Sequence, residues 1–161
     1  MLSEESKAEI RRIQAEYPDN KSALLPALYL AQQDYGGWLP GEAFDEVAAV
    51  MNVPPAYIAA TASFYTMFNR RRLGRHVIQV CTNISCSLLG AEHLLEYVTR
   101  KLSIKPGETT EDGMFTLLEV ECLGSCGTAP MMQVGNRYYE NLTEAKVDQI
   151  LASLAQEEVG G

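Results

Sequence analysis

Two stretches of the sequence contain all four cysteines: HVIQVCTNISC at residues 76–86 and FTLLEVECLGSC at residues 115–126. Each begins with a run rich in β-branched and other apolar residues, which predicts a short buried strand. Each ends in a cysteine pair, spaced C-x4-C in the first stretch and C-x3-C in the second: Cys81 and Cys86, then Cys122 and Cys126. If the two strands are neighbours in one sheet, both pairs lie at the same edge, so we expect the four sulfur atoms to converge there.

The segments around these strands predict one α/β domain over residues 76–161. Residues 91–102 have the apolar spacing of a helix, and Thr143 caps a last helix. Residues 131–134 and 138–140 predict a hairpin. The predicted order is therefore β-α-β-β-β-α, which favours a mixed sheet with helices packed on it in the thioredoxin-like arrangement.

Residues 1–75 contain no cysteine and predict a small helical bundle. The helices are signalled by Ser3 or Ser6 as a cap, by apolar spacing over residues 22–35, by Pro40, and by Pro54–Pro55. The apolar stripes on these helices indicate a buried core and no binding site. We place the boundary between the two domains at residue 75.

Composition excludes several classes of function. The chain has 161 residues and a formal net charge of −8, which argues against nucleic acid as a partner. The N-terminus is charged and does not resemble an export signal, so we expect a reducing compartment and no structural disulfides. Asn52 and Pro54 interrupt the apolar run at residues 47–68, so we expect no direct membrane insertion.

Four cysteines kept in a reducing compartment indicate a metal site. Sets of soft thiolates bind zinc or an iron–sulfur cluster. Zinc sites use C-x2–4-C pairs, but here 35 residues, including a predicted helix, separate Cys86 from Cys122. A structural zinc module with four cysteine ligands nevertheless stays open as an alternative. The chain lacks the C-x-x-C of thiol–disulfide enzymes and the spacing of plant-type ferredoxins. A Rieske centre would need two histidines as ligands, and four cysteines already suffice.

The residues beside the cysteines suit a charged inorganic cluster. Thr82, Asn83, Ser85 and Ser87 surround the first pair as potential donors. We expect Gly124 and Gly127 to adopt positive φ and direct backbone N–H groups at sulfur. Each close pair is also short enough to chelate one iron. Pro130 follows the second pair at a position where thioredoxin-like folds often have a cis peptide bond.

The motifs also carry a resemblance to a known family. The runs CTNISCSLLGAEHLLEYV, KPGETTEDGMFTLLEVECLGSCGTAPMMQV and YYENLTEAKV resemble the small [2Fe–2S] subunit of bacterial respiratory NADH:quinone oxidoreductase (complex I), known as its E subunit. The N-terminal half is similar to the helical extension of that family. The resemblance implies a thioredoxin-like ferredoxin with one [2Fe–2S] cluster, whose ligands are Cys81, Cys86, Cys122 and Cys126.

The same resemblance implies the chain's role. It implies a subunit of an NADH-oxidising enzyme with no complete active site in this chain alone. The partner is an NADH- and FMN-binding flavoprotein subunit, whose flavin exchanges single electrons with the cluster. The expected location is cytoplasmic, in the peripheral arm of a complex attached to the inner membrane. NAD-reducing hydrogenases and NAD-dependent formate dehydrogenases have similar subunits, so these stay open as alternatives.

The run RRRLGR at residues 70–75 has four basic side chains in six positions. We interpret it as a solvated connection between the two domains. The alternative is an electrostatic docking patch for an acidic partner surface.

Overall fold

The computed structural model describes residues 1–157, which form two compact units. The first unit covers Met1–Arg72, and the second begins at Leu73. The boundary that we predict from the sequence, at residue 75, lies close to this division. Each unit has an apolar core of its own.

The first unit consists of α-helices joined by short connections. They are α1 (Glu4–Gln14), α2 (Leu24–Asp34), α3 (Gly41–Met51) and α4 (Pro55–Phe64), with a 3-10 turn at Asn20–Ala23 before α2. Ser3 caps α1, because its Oγ accepts a hydrogen bond from the backbone N–H of Ser6 at 3.1 Å. Ser6 is therefore inside the helix and does not cap it. The connection between α3 and α4 turns at Asn52, which has a left-handed backbone with a φ of 55°.

The core of the first unit is built from the apolar stripes that the sequence predicts. Ile10, Leu28, Val47 and Ile58 have no exposed surface, and each comes from a different helix. Burying a side chain of this size stabilises a fold by about 1.5–3 kcal/mol. The helical bundle predicted for this half is therefore confirmed.

The apolar run at residues 47–68 is divided between α3 and α4. No single helix in residues 1–157 is long and apolar enough to cross a membrane. By length and composition alone, α3 and α4 together are long and apolar enough to cross one, as a pair bent by 120°.

The second unit is a four-stranded sheet with helices packed on it. The strands are β1 (His76–Cys81), β2 (Phe115–Val120), β3 (Met132–Val134) and β4 (Arg137–Tyr139). The helices are α5 (Ile84–Leu88), α6 (Ala91–Leu102) and α7 (Glu144–Gln156). The strand order is β2-β1-β3-β4, with β1 parallel to β2 and the other pairings antiparallel. This is the mixed sheet of the predicted thioredoxin-like fold.

The core of the second unit lies between the sheet and α6 and α7. Ile78 and Leu117 from the two parallel strands are fully buried with Val98 of α6 and Val147 of α7. The predicted hairpin turns at Gly135, which has a φ of 57°. All four cysteines lie at or after the C-terminal ends of β1 and β2.

Helix α5 was absent from the predicted order of elements. It has only five residues, and Ile84 and Leu88 are both exposed. A five-residue helix in which Cys86 is the one buried side chain is too short to leave a periodic pattern in the sequence. Asn83 is the N-cap of α5, and its Oδ1 accepts a hydrogen bond from the N–H of Ile84 at 2.8 Å.

Two arginines of residues 70–75 have contacts within their own units. The Arg72 guanidinium lies 5.6 Å from the ring centroid of the half-buried Trp38, in a cation–π arrangement. The Arg75 guanidinium donates a hydrogen bond to the Glu157 carbonyl at 3.2 Å. Both side chains are largely solvated, as the interpretation of a solvated connection expects.

Candidate metal centre

The parallel pairing of β1 and β2 brings the two cysteine pairs to one edge of the sheet. In this register Cys81, the last residue of β1, is opposite Val120, the last residue of β2. Cys122 follows two residues later. The Cys81 thiol also donates a hydrogen bond to the carbonyl of Glu121, the residue after β2, at a sulfur–oxygen distance of 3.9 Å.

The first cysteine pair is buried. Cys81 and Cys86 are 3% and 2% exposed, and they pack with Ala91, Ala129 and Met131 in a small apolar cluster apart from the main core. Burial, together with a hydrogen bond to Cys81, raises the pKa of the Cys86 thiol to about 11. A backbone hydrogen bond from Met131 acts in the opposite direction. Because metals bind the thiolate, binding at this pair must release protons.

The second cysteine pair is exposed to solvent. Cys122 follows β2, and Cys126 begins a short 3-10 turn at Cys126–Thr128. Gly124 has a φ of 77°, and its N–H donates to Cys122 Sγ at 3.4 Å, as predicted. Gly127 is not among the glycines with positive φ, so the prediction for that residue was wrong.

The two pairs interact electrostatically. A Coulombic interaction with Cys126 makes the smallest contribution to the raised pKa of the Cys86 thiol. All four cysteines are free thiols. Within residues 1–157, no group of three or more histidine, cysteine, aspartate or glutamate side chains is arranged so that it could hold a metal ion. The convergence of the four sulfur atoms that we expect from the sequence therefore stays a prediction.

Two hydroxyl groups near the first pair have other partners than sulfur. Thr82 donates to Glu119 at 2.9 Å, and Ser87 donates to Glu92. These contacts correct the expectation that Thr82 and Ser87 serve as sulfur donors. The donors that do reach sulfur are backbone groups, from Met131 and Gly124.

Pro130 and His93 each lie near a cysteine pair in the sequence. The Ala129–Pro130 peptide bond is cis, as expected from its position after the second pair. His93 is on α6, where its exposed ring lies 3.0 Å from Glu144 of α7. This histidine therefore pairs with another helix.

Sequence reasoning missed two residues that hold the loop of the second pair. The Tyr138 hydroxyl donates to the Leu123 carbonyl at 2.7 Å, and the Glu140 carboxylate accepts hydrogen bonds from Ser125 and Thr128. Both lie in the run YYENLT, which supported the family resemblance without a role for any residue in it. No local signal identifies them, because their partners are 12 to 15 residues away in the sequence.

The donor set of this edge fits a [2Fe–2S] cluster. Four free thiols are available in two close pairs, which matches two sulfur ligands for each iron. Backbone N–H groups contact a sulfur in each pair, and such bonds stabilise the negative charge of a thiolate-bound cluster. One pair is shielded from water by apolar side chains, and the other is open to a partner.

Comparison with known proteins identifies the family. The family model described as thioredoxin-like [2Fe–2S] ferredoxin matches residues 10–155. The chain belongs to this family. The match includes both cysteine pairs of this ferredoxin and most of its helical unit.

Relatives of this ferredoxin include subunits of NADH-quinone oxidoreductases and of a mitochondrial NADH dehydrogenase. It is 46% identical to the second NADH-quinone oxidoreductase E subunit of Rhizobium meliloti, over 91% of this chain and 87% of that protein. It is also 46% identical to the E subunit of Rickettsia felis, over 84% of this chain and 82% of that protein. Flavoprotein 2 of the mitochondrial NADH dehydrogenase of Dictyostelium discoideum is 43% identical, over 93% of this chain and 62% of that protein. The resemblance to this subunit family is therefore confirmed.

A similar solved structure comes from a different enzyme. The crystal structure of an NAD+-reducing [NiFe]-hydrogenase in the air-oxidised state matches this ferredoxin with a TM-score of 0.73 at 26% identity. The match covers 84% of this chain and 23% of the hydrogenase chain, so this protein spans about a quarter of that chain.

Proposed function

We propose that this chain is the electron-transfer subunit of an NADH:quinone oxidoreductase. In this proposal one [2Fe–2S] cluster is held by Cys81, Cys86, Cys122 and Cys126. It exchanges single electrons with the FMN of an NADH-binding flavoprotein partner, which carries both FMN and NADH. This chain then has no complete active site of its own and works as part of the enzyme.

The observation that carries the proposal is the register of the two parallel strands. The pairing of Cys81 with Val120 aligns the ends of the two strands that precede the C-x4-C pair and the C-x3-C pair, although 35 residues separate the pairs in the chain. The family and the named relatives support the same conclusion from independent information. A cluster at this edge would have two ligands from each loop.

The chain's own residues would control the surroundings of the cluster. When bound, a [2Fe–2S] cluster accepts and returns one electron. Ala91 and Met131 exclude water from the buried pair, which lowers the local dielectric constant around the sulfur atoms. The N–H groups of Met131 and Gly124 favour the more negative state, because they donate to sulfur. The balance of these effects sets the reduction potential.

The flavoprotein would dock at the edge that holds the cysteines. Ile84, Leu88 and Leu89 follow Cys81 on and after α5, and they are 73%, 81% and 59% exposed. Contiguous exposed apolar side chains mark interaction sites more often than chance. A partner covering this surface would also be close to the exposed cysteine pair. We place the complex in the cytoplasm, in a peripheral arm attached to the inner membrane.

A second candidate is the equivalent subunit of an NAD-reducing hydrogenase. The observation that favours it is the similarity to the solved hydrogenase structure. The role at this site is the same in both enzymes, and only the distant electron acceptor or donor differs. The genes next to this one, or nickel in the purified complex, distinguish the two.

Metal analysis of the full-length protein tests the cluster. Protein purified without oxygen should contain iron and acid-labile sulfide in equal amounts and no stoichiometric zinc. Reduction should produce the EPR signal of a single unpaired electron. His93→Ala is the matched control, since this exposed residue pairs with Glu144 and its loss should leave the metal content unchanged. A colourless protein with one zinc per chain would establish the zinc module in place of the cluster.

Co-purification from the native host tests the docking surface. Leu88→Glu introduces a charge on the exposed face of α5, and we expect it to release the flavoprotein while the cluster stays bound. Phe64→Glu is the control, because Phe64 is 78% exposed but belongs to the helical unit. If Phe64→Glu releases the partner and Leu88→Glu does not, the helical unit contains the interface.

A further inference from the structure

The loop of the exposed cysteine pair has few anchors of its own. Between Cys122 and Ala129, every residue is exposed or only partly buried. Gly124 and Gly127 add backbone freedom on both sides of Cys126. Leu123 packs against the apolar cluster of the buried pair, whereas the more exposed residues that follow it depend on other contacts for a single conformation.

The ordering contacts come from the end of β4 and the residues after it. The Tyr138 hydroxyl donates to the Leu123 carbonyl at 2.7 Å. The Asn141 N–H donates to the Thr128 carbonyl at 2.7 Å, and the Leu142 N–H donates to the Pro130 carbonyl at 2.9 Å. These bonds attach both ends of the loop to one neighbouring segment.

Glu140 makes the contacts in the middle of the loop. Its Oε1 accepts a hydrogen bond from Thr128 Oγ1 at 2.6 Å and another from Ser125 Oγ. The two hydroxyl oxygens are themselves 2.8 Å apart. Each hydroxyl has a single proton, so both protons are used when both donate to the carboxylate. The carboxylate therefore bridges the residue before Cys126 to the residue two positions after it.

The ionised state of Glu140 strengthens this bridge. Hydrogen bonds from Ser125 and Thr128 lower the pKa of the Glu140 carboxyl. Hydrogen bonds to a charged acceptor are roughly twice as strong as neutral ones.

We propose that Glu140 is a positioning residue, which holds residues 123–128 in the conformation that presents the Cys126 sulfur to the iron bound by the exposed pair. The role of Cys126 as a ligand rests on the proposed function. The ordering of the loop by Glu140 does not, so the two can be tested separately.

Three variants separate positioning from charge. Glu140→Ala removes the bridge, whereas Glu140→Gln keeps an oxygen that can accept both hydrogen bonds but removes the charge. Glu121→Ala is the matched control, because it removes a carboxylate adjacent to Cys122. Within residues 1–157 the Glu121 side chain has no hydrogen bond or ion pair with the loop.

Hydrogen exchange of the metal-free, full-length protein tests the ordering of the loop. In Glu140→Ala we expect the amides of residues 123–128 to exchange about tenfold faster or more, because two charge-assisted hydrogen bonds are lost. Glu140→Gln should restore most of the protection, and Glu121→Ala should have the exchange of the unmodified protein. Equal exchange in Glu140→Ala and the unmodified protein would overturn the proposal, whether or not the protein binds a cluster.

Spectroscopy of the iron-loaded protein tests the link to Cys126. Mössbauer spectra should show one iron site broadened in Glu140→Ala and both sites unchanged in Glu140→Gln, and only Glu140→Ala should lose iron faster to a chelator. Glu121→Ala should shift the reduction potential through its charge without broadening either site. If Glu140→Ala loosens the loop but leaves both iron sites unchanged, the positioning of Cys126 is overturned. If the unmodified protein binds no iron and sulfide, the proposed function fails instead.

Discussion

Cys81 and Cys86 are buried, whereas Cys122 and Cys126 are exposed, although both pairs follow strands that end at the same edge of one sheet. The buried pair is held by apolar packing against neighbours such as Met131. The exposed pair is held by hydrogen bonds from a segment at the end of the hairpin. Neighbouring loops of one site can therefore be ordered by different forces.

This difference has a functional meaning in the proposed enzyme. Packing around Cys81 and Cys86 would shield an iron bound there from water, and this shielding would change little with conditions because a packed core deforms little. The hydrogen-bonded loop faces solvent or a partner, so docking can change its surroundings. The exposed pair is thus the side on which a flavoprotein would influence the cluster.

The largest effect should come from replacing one ligand in each pair. Cys86→Ser places a hydroxyl among buried apolar side chains. We therefore expect the protein to lose the [2Fe–2S] cluster and the metal-free protein to be destabilised by about 1–3 kcal/mol. Cys126→Ser changes an exposed residue, so the loop can adjust and a cluster with one altered iron should remain. Iron content, Mössbauer spectra and urea unfolding measure both results. Equal loss of iron in the two variants would contradict the comparison.

Met131→Ala should affect the buried pair alone. Met131 has no exposed surface and packs with Cys81 and Cys86, so its truncation leaves a cavity that costs about 2–5 kcal/mol of stability. We expect a lower midpoint of urea unfolding and faster loss of the cluster. Exchange of the amides at residues 123–126 should change less than exchange around Cys86. If exchange at residues 123–126 increased more than exchange around Cys86, the two pairs would not be held by different contacts.

Gly124→Ala should affect the exposed pair alone. A φ of 77° costs a residue with a Cβ about 1–2 kcal/mol, while no atom within 4 Å would clash with that Cβ. We expect the backbone to relax and the hydrogen bond to Cys122 Sγ to weaken. This hydrogen bond stabilises the more negative, reduced state of the cluster. Weakening it should therefore lower the reduction potential measured in an EPR-monitored redox titration. An unchanged potential would show that this bond does not influence the cluster.

Asp148→Asn should have the smallest effect and involve neither pair. Hydrogen bonds from Lys101 and Tyr97 lower the pKa of the Asp148 carboxyl, so the folded state prefers the charged form. Its contribution is present above the ordinary carboxyl pKa and is lost as the pH falls from there through the lowered pKa of the folded state. The unmodified protein should therefore lose slightly more stability than Asp148→Asn over this range in urea titrations. The spectrum of the cluster should be identical in both, and a changed spectrum would show unexpected coupling to α7.

Much of the fold follows from local patterns in the sequence. The strand at His76 ends at Cys81, the helix Ala91–Leu102 has its predicted bounds, and the hairpin turns at Gly135. These predictions succeeded because each element buries an apolar face with a regular period. Helix α5 was missed, since its apolar residues face solvent.

The candidate site was less completely predictable. The four cysteines and the sulfur donor Gly124 are evident from spacing and from the conformational freedom of glycine. Gly127 was assigned a positive φ that it does not have, because glycine permits that conformation without requiring it. The assignment of all four cysteines as ligands stays a prediction until metal analysis is done.

Local sequence patterns were enough to identify the four candidate ligand thiols and the start of the strands that precede them. They also contain the spacing that favours a two-iron cluster, because residue type and spacing are local properties of the chain. The burial of Cys86, the exposure of Cys126 and the contact of Glu140 with Ser125 are evident only in the folded chain. Burial and long-range hydrogen bonds depend on elements that are distant in sequence and meet only when the sheet is assembled.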